Sequence, residues 1–153
     1  MILVGYFTKG GASEQYANEI AETLKTDGLD IEITNLAQGV PDITNFDIII
    51  LGTGVRMYRV YGRWKKVLKQ KEIGSKQLYM FLSSGTAIDK PDKAVEKFLQ
   101  PIVKKYGLKP NSMISFPGII PGKWADLDGQ KNTVKIEKAK EWALEISRQI
   151  KSK

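Results

Sequence analysis

The apolar residues of this chain fall into two patterns that alternate along its length. Five short segments are rich in β-branched and aromatic residues, which favours strands. Their sequences are MILVGYF, DIEITNL, FDIIILGTG, KQLYMFLSSG and SMISFPG. The third is a continuous apolar run, which is typical of a strand buried on both faces.

Other segments carry apolar residues at spacings of three and four, as on one face of a helix. These positions are Ala17, Ile20, Ala21 and Leu24 in one helix, Val95, Phe98, Leu99, Ile102 and Val103 in a later helix that starts near Pro91 and ends by Gly107, and Ile136, Ala139, Ala143, Ile146 and Ile150 in the last helix. Together with a helix after the third strand, they predict the element order βαββαβαβα or one close to it.

This order predicts an α/β fold in which helices cover both faces of a parallel sheet. Because the chain has 153 residues, 42% of them hydrophobic, we expect one domain over residues 1–153. Right-handed crossovers make 2-1-3-4-5 the natural order of five parallel strands. Ligands of such sheets bind beyond the carboxyl ends of the strands. That rule selects three loops, Thr8 to Ser13, Gly52 to Arg59 and Ser83 to Asp89.

The chain contains no cysteine and no histidine. Their absence excludes Ser-His-Asp and Cys-His nucleophiles, thiol redox centres and ordinary zinc, haem or iron–sulfur sites, so no metal is expected. Redox chemistry would therefore require a bound organic cofactor. No segment has the roughly 18 consecutive apolar residues of a membrane span, and MILVGYF lacks the basic flank of a signal peptide. We therefore expect a cytoplasmic protein.

The first loop has the features of an anion site. A strand ending at Phe7 leads into a helix beginning near Ser13, and Gly10 and Gly11 between them allow close approach to the backbone. Backbone N–H groups at a helix N-terminus bind phosphate readily. The patterns G-x-x-x-x-G-K-[ST] and G-x-G-x-x-G are both absent. An ordinary strand-to-helix turn with Ser13 as its N-cap is the alternative interpretation.

The other two loops also place small residues after a strand. In LGTGVRMY, Gly52 and Gly54 would let a flat ligand lie close to the backbone. In FLSSGTA, small hydroxyl residues follow the fourth strand. One such loop is usually no more than a turn, but three at the same edge of one sheet indicate a ligand site.

At these loops the sequence resembles the flavodoxins. YFTKGGAS is similar to their phosphate loop, which runs hydroxyl residue, two variable positions, glycine, one variable position and hydroxyl residue. LGTGVRMYRVYGRWKKVLK is most similar to the flavodoxin-domain proteins that include menaquinone-dependent protoporphyrinogen oxidase, in which an aliphatic residue and an arginine follow two small residues, as Val55 and Arg56 do here. The resemblance extends over the whole chain and implies a flavodoxin-like three-layer sandwich that binds FMN.

The resemblance also implies which residues hold the FMN, with the phosphate in the first loop and the isoalloxazine ring between the second and third. The third loop lacks the aromatic residue that covers the ring in many flavodoxins. Met57 or Tyr58 would then cover one face of the ring and Trp124, from the long segment 118–132, the other; a packing or surface role is the alternative for Trp124. Lys9 replaces the usual small hydroxyl residue and adds positive charge near the phosphate. The expected cofactor-binding residues are Thr8, Lys9, Gly10, Gly11, Ala12, Ser13, Thr53, Gly54, Val55, Arg56, Met57, Ser83, Ser84, Gly85, Thr86, Ala87 and Trp124.

The formal net charge is +7, and basic residues concentrate in the segment Arg56–Lys71, which contains no acid. Its basic residues are Arg56, Arg59, Arg63, Lys65, Lys66, Lys69 and Lys71. Apolar residues at helical spacing within it predict an amphipathic helix; they are Val60, Trp64, Val67 and Leu68. One interpretation is a solvated helix face. The other is a docking surface beside the flavin for an anionic membrane surface or an acidic protein.

We therefore expect an FMN-binding redox protein that exchanges electrons with a partner protein or a quinone, with no catalytic side chain of its own. The alternatives are an FMN-dependent oxidoreductase like menaquinone-dependent protoporphyrinogen oxidase, peripheral to the membrane, and an interaction domain without flavin. Nucleic acid is not expected, because no known reader motif accompanies the basic segment. A phospho-acceptor regulatory domain would need acids where Gly5, Tyr6 and Gly52 stand.

Overall fold

The computed structural model describes residues 1–7, 11–56, 59–60, 66–84, 90–118 and 135–152. Five parallel strands form the sheet in the order β2-β1-β3-β5-β6, and β4 pairs antiparallel with the end of β3. The strands are β1 Ile2–Phe7, β2 Ile31–Asn35, β3 Ile48–Arg56, β4 Arg59–Val60, β5 Gln77–Ser84 and β6 Ser112–Pro117. With β5 and β6 as the fourth and fifth parallel strands, the predicted order 2-1-3-4-5 is confirmed.

The helices lie in two layers, one on each face of the sheet. The α1/α4 layer comprises residues 11–30 and 135–152, and the α2/α3 layer comprises residues 36–46, 66–76 and 90–109. The helical elements are α1 Ala12–Thr26, a helical turn over residues 66–68, the 3₁₀ turn Lys71–Ser75, α2 Pro91–Ala94, the π-helical segment Val95–Leu99, α3 Gln100–Tyr106 and α4 Ile136–Lys151. The predicted helix from Pro91 to Gly107 is confirmed, with a π-helical segment inside it.

Each layer packs on its own hydrophobic core, because successive side chains of a strand point to opposite faces of the sheet. On β5, Tyr79 and Phe81 belong to the core under the α1/α4 layer, and Met80 and Leu82 to the core under the α2/α3 layer. The continuous apolar runs of the strands are explained by this burial on both faces.

The prediction of a helix that includes Val60 is wrong. Arg59–Val60 forms β4, in which Val60 pairs with Val55 and Arg59 with Arg56. β3 continues two residues beyond Gly54 and supplies the backbone partner for this strand, so tertiary pairing overrides the helical spacing. Val67, farther along, is helical and buried as expected, while Trp64 lies outside the described residues.

Within the described ranges, no helix combines the length and the apolar composition that crossing a bilayer requires.

Candidate functional site

Small residues occupy the carboxyl ends of the central strands, at the edge where the sequence predicts a ligand site. β3 passes through Thr53 and Gly54 before it ends at Arg56, and β5 ends with Ser83 and Ser84. α1 begins at this edge directly after Gly11. The parallel register aligns these ends, since Gly54 pairs with Ser83. The structure therefore brings the described parts of the three predicted loops to one edge of the sheet.

Gly11 opens α1 with a left-handed backbone, φ 86° and ψ −15°. Residues other than glycine rarely adopt this conformation, so the turn requires glycine here. The Gly11 carbonyl accepts the first helical hydrogen bond, from Gln15 N at 3.2 Å. The alternative that made Ser13 the N-cap is wrong, because the helix already begins at Ala12 and Gly11 is its N-cap. The N–H groups of the first turn, which have no acceptor within a helix, lie at this edge of the sheet.

The hydroxyl of Ser13 is directed into the protein instead of capping the helix. It lies 2.8 Å from the hydroxyl of Ser83, and both residues are buried. Ser13 belongs to the first predicted loop and Ser83 to the third, although 70 residues separate them in sequence. This hydrogen bond fixes the start of α1 against the end of β5.

Thr53 and Gly52 belong to the protein interior. Thr53 is fully buried, and its hydroxyl donates to the carbonyl of Gly54 at 3.0 Å. A Cβ atom on Gly52 would lie 1.8 Å from Cζ of Phe81, its neighbour on β5. The expectation that Gly52 leaves room for a flat ligand is therefore wrong, because the Phe81 ring occupies that space.

Gly118, the first residue of the long segment 118–132 that the sequence singles out, lies at this edge, and sequence reasoning missed its contact with Ser84. Its N–H donates to the Ser84 carbonyl at 3.0 Å, and a Cβ atom on Gly118 would lie 3.1 Å from Ser84 N. The two backbones approach closely because one of them has no side chain. The signal in the sequence is the Pro-Gly dipeptide at the end of the last strand, which marks a chain reversal.

Tyr16 is a second residue that sequence reasoning missed. It is fully buried, its hydroxyl donates to the Pro117 carbonyl, and the same hydroxyl accepts from Lys135 N at 3.0 Å. One oxygen atom thereby holds the end of β6 and the residue before α4 together beside α1. Burial raises the Tyr16 pKa, opposed in part by the Lys135 N–H. The signal in the sequence is its position four residues before Ile20, which puts Tyr16 on the buried face of α1 but does not reveal its hydrogen-bond partners.

Tyr6 is linked to the first turn of α1. Its hydroxyl donates to Glu14 Oε1 at 3.2 Å. Burial, followed by the charge of Glu14 and by this hydrogen bond, raises the Tyr6 pKa. The negative charge of Glu14 in the first turn also interacts favourably with the helix dipole and stabilises the start of α1.

The remaining predicted site residues lie partly or wholly outside the described structure. Of Val55 and Arg56, the backbone alone is described, as the end of β3. The predicted residues outside the described ranges are Thr8, Lys9, Gly10, Met57, Tyr58, Gly85, Thr86, Ala87 and Trp124. Their roles stay predictions.

Solved structures with the same fold include flavodoxins that match this chain over nearly their whole length. The Streptococcus pneumoniae TIGR4 flavodoxin is 17% identical, with a TM-score of 0.67 over 97% of this chain and 99% of that chain. Flavodoxin 1 from Bacillus cereus is 18% identical, with a TM-score of 0.66 over 97% and 98%. At these identities the likeness shows the fold.

The same fold occurs as part of a larger enzyme. The rubredoxin oxygen:oxidoreductase of Desulfovibrio gigas is 15% identical, with a TM-score of 0.66, and the match covers 99% of this chain but 36% of that chain. No curated protein matches the sequence. The family model described as flavodoxin domain matches residues 3–122, which is most of the chain. This protein therefore belongs to the flavodoxin domain family.

Proposed function

We propose that this protein binds FMN at the carboxyl edge of its sheet and transfers electrons through the flavin. The observation that carries the proposal is the left-handed turn at Gly11, which opens α1 at the carboxyl edge of the sheet. Membership of the flavodoxin domain family supports the choice of FMN among anionic ligands.

The described residues fit a phosphate-bearing ligand. The N–H groups at the start of α1 lie at the positive end of the helix dipole, which favours a phosphate. Ala12 has a small side chain, and the Ser13 hydroxyl is held by Ser83, so neither side chain blocks the first turn. In this proposal the backbone from Lys9 to Ser13 and the Thr8 hydroxyl bind the phosphate. The Ser13 hydroxyl, which the sequence also assigns to the phosphate, is instead hydrogen-bonded to Ser83 in the structure.

The isoalloxazine ring is proposed to lie between the second and third loops. The residues that would border it are Thr53, Gly54, Val55, Arg56, Met57, Ser83, Ser84, Gly85, Thr86 and Ala87, with Trp124 over one face. Thr53 and Ser83 would do so through their backbones, because their side chains are buried and hydrogen-bonded within the protein. Bound FMN would supply the redox chemistry, since the chain has no cysteine or histidine. The protein would bind and orient the ring and adjust its electrostatic surroundings.

The first test is whether the purified protein carries FMN or takes it up. We expect visible flavin absorption in the protein or after reconstitution of the apoprotein. A folded protein that remains colourless and fails to bind FMN would contradict the proposal and leave an interaction domain without flavin.

Gly11→Val should abolish FMN retention, because valine does not tolerate the left-handed backbone of the turn. The chain provides a matched control in Gly28, whose φ is 87° and which follows α1 at the opposite edge of the sheet. Gly28→Val introduces the same backbone strain far from the proposed site. It should lower stability while FMN affinity, measured by fluorescence titration, stays near the parent value. Equal FMN affinity in a folded Gly11→Val protein would remove this turn from the phosphate site.

Arg56 is proposed to stabilise negative charge on the reduced ring. Arg56→Ala should then lower the midpoint potential of bound FMN, measured by redox titration. Lys71→Ala, which removes an exposed charge from the other end of the basic segment, should leave it unchanged. Equal midpoint potentials in the parent and both variants would show that Arg56 does not act on the ring and is only a surface charge.

A second function is favoured by the basic segment that follows the second loop. Its described lysines, Lys66, Lys69 and Lys71, are all exposed. This surface suits an enzyme like menaquinone-dependent protoporphyrinogen oxidase that works against an anionic membrane. Steady oxidation of a porphyrinogen with a quinone acceptor would favour the enzyme, and fast exchange with a redox protein alone would favour the carrier.

A further inference from the structure

The two helical layers differ sharply in charge. In the α2/α3 layer the basic residues outnumber the acids; they are Lys66, Lys69, Lys71, Lys76, Lys90, Lys93, Lys97, Lys104, Lys105 and Lys109, against Asp42, Glu72, Asp92 and Glu96. The α1/α4 layer has slightly more acids than bases; they are Glu14, Glu19, Glu22, Asp27, Asp30, Glu137, Glu141 and Glu145, against Lys25, Lys135, Lys138, Lys140, Arg148 and Lys151. The positive charge of the described chain is thus concentrated on one face.

The lysines of the α2/α3 layer extend far beyond the proposed flavin edge. Lys90 precedes α2 at the carboxyl edge of the sheet, and Lys109 follows α3 near the amino edge. The helical stretch between them, from Pro91 to Tyr106, is about 24 Å long at 1.5 Å per residue. A partner that touched the flavin edge alone would leave most of these charges without a contact, whereas one that used them all would cover the whole layer.

The chemistry of this face favours a membrane over a protein. Protein interfaces are enriched in arginine and aromatic residues and depleted in lysine at their centres. All of the described basic residues here are lysines, and every one except the half-buried Lys76 is exposed. Among the residues described, Met1 is the exposed large hydrophobic side chain, and it precedes β1. A planar anionic surface needs no apolar anchor and can contact many lysines at once.

We propose that the exposed lysines of the α2/α3 layer bind an anionic lipid surface that lies flat along this layer. In this orientation the lipid does not cover the carboxyl edge of the sheet, so the proposed flavin there would remain accessible. This contact does not require bound flavin. The lipid-binding proposal and the FMN proposal can therefore fail separately.

The test is co-sedimentation with phosphatidylcholine vesicles that contain or lack phosphatidylserine, over a series of salt concentrations. The parent protein should bind the anionic vesicles at low salt and be released as salt rises, because screening shortens the range of the attraction. The variant Lys90→Gln, Lys93→Gln, Lys104→Gln, Lys109→Gln should bind at least about tenfold more weakly.

The control variant makes the same change of net charge on the other layer. It is Lys25→Gln, Lys135→Gln, Lys138→Gln, Lys140→Gln, and all four lysines are exposed. It should keep the parent affinity within about twofold, because its charges lie on the side away from the lipid. Circular dichroism and thermal unfolding establish that both variants are folded. Equal losses in the two variants would overturn the proposal in favour of an effect of total charge.

The orientation can be tested directly because the natural chain has no cysteine. Glu96→Cys on the α2/α3 layer and Glu145→Cys on the α1/α4 layer each place one reactive thiol at an exposed position. With an environment-sensitive fluorophore attached, anionic vesicles should shift the emission at position 96 and leave position 145 unchanged. Equal shifts would overturn the flat orientation.

An acidic protein is the competing occupant. Polyglutamate serves as its probe, in the same salt series and with the same two lysine variants. If the parent bound polyglutamate through the α2/α3 lysines but showed no preference for anionic vesicles, the lipid proposal would be overturned and this face would be a protein-docking surface.

Discussion

The two helical layers share one sheet but are built differently. The α1/α4 layer consists of two long α-helices, Ala12–Thr26 and Ile136–Lys151, over a core rich in aromatic rings. The α2/α3 layer is assembled from short helical pieces over a mostly aliphatic core. The first layer positions residues of the candidate site through buried hydrogen bonds, and the second presents lysines to solvent. One layer therefore determines the geometry of the site and the other the charge of the surface.

The aromatic core under the α1/α4 layer is centred on Phe116 and Trp142. The Phe116 ring lies 4.6 Å from that of Tyr16 and 5.9 Å from that of Phe81, between centroids. Trp142 meets Phe81 and Phe116 edge to face at 6.0 and 6.1 Å. Such aromatic pairs have specific geometry, so substitutions here should lower the free energy of unfolding strongly.

The π-helical segment in the α2/α3 layer has a local cause. Pro101 has no N–H to donate to the carbonyl of residue 97, so the regular α-helical ladder is interrupted there. The chain forms the π-helical segment Val95–Leu99 immediately before it. Phe98 and Leu99 are both buried at this point, so the helix keeps its packing despite the break.

The largest expected effect comes from Gly52→Ala. The new methyl group would occupy the position of the Phe81 ring, with a Cβ to Cζ distance of 1.8 Å, and the ring would have to move within the aromatic core. We expect a loss of about 3 kcal/mol or more in the free energy of unfolding, measured by urea denaturation.

Gly74→Ala in the α2/α3 layer is the control for that substitution. No atom lies within 4 Å of the position of its Cβ, and the residue is part of a 3₁₀ turn. Its stability should be unchanged or slightly higher. Similar losses in the two alanine variants would contradict the claim that the aromatic core is the tightly specified one.

Tyr16→Phe should have the next largest effect. Removing the hydroxyl leaves the Pro117 carbonyl without its donor and the Lys135 N–H without its acceptor. We expect a loss of about 1–3 kcal/mol in the free energy of unfolding. Tyr79→Phe is the control, because its hydroxyl donates only to the Gln149 side chain, at 3.0 Å. It should cost less than about 1 kcal/mol, and equal costs would refute the role assigned to Tyr16.

A pair of serine variants compares how each layer is attached. Ser147 donates to Asp27 Oδ2 at 2.5 Å and links α4 to the end of α1, while Ser115 donates to the Pro91 carbonyl at 2.5 Å and links β6 to the start of α2. Each alanine variant should lose about 1 kcal/mol. Hydrogen exchange should accelerate mainly in the layer of the substituted serine, and acceleration spread evenly over both layers would show that the layers are not independent.

The smallest effect is expected at alkaline pH. Burial raises the pKa of Tyr16 above its ordinary value of 10.0, so the folded state favours the neutral phenol. This contribution to stability is complete below the unfolded pKa and is lost as pH rises through the folded pKa. The stability difference between the parent and Tyr16→Phe should therefore shrink above about pH 10 in urea titrations. A difference that stays constant to about pH 11 would contradict the assigned shift.

Much of the fold follows from local sequence patterns. Strand positions, the helix from Pro91 to Gly107 and the order of the parallel strands were predictable because hydrophobic periodicity and right-handed crossovers restrict the choices. The short strand Arg59–Val60 was not predictable, because its pairing depends on how far β3 continues. The edge that carries the candidate site was predictable from the same rules, since strand ends of a parallel sheet meet at one edge.

The roles of individual residues depended on contacts between distant parts of the chain. The sequence by itself determined that a glycine-rich turn precedes α1, that small residues end the strands and that basic residues outnumber acids. Tertiary structure decided that Gly52 accommodates Phe81, that Ser13 bonds Ser83, and that Tyr16 joins Pro117 to Lys135. It also decided that the lysines of two separate segments, residues 66–76 and 90–109, share one face. Periodicity reports which side of an element is buried, whereas the partner on that side is set by packing across the sheet.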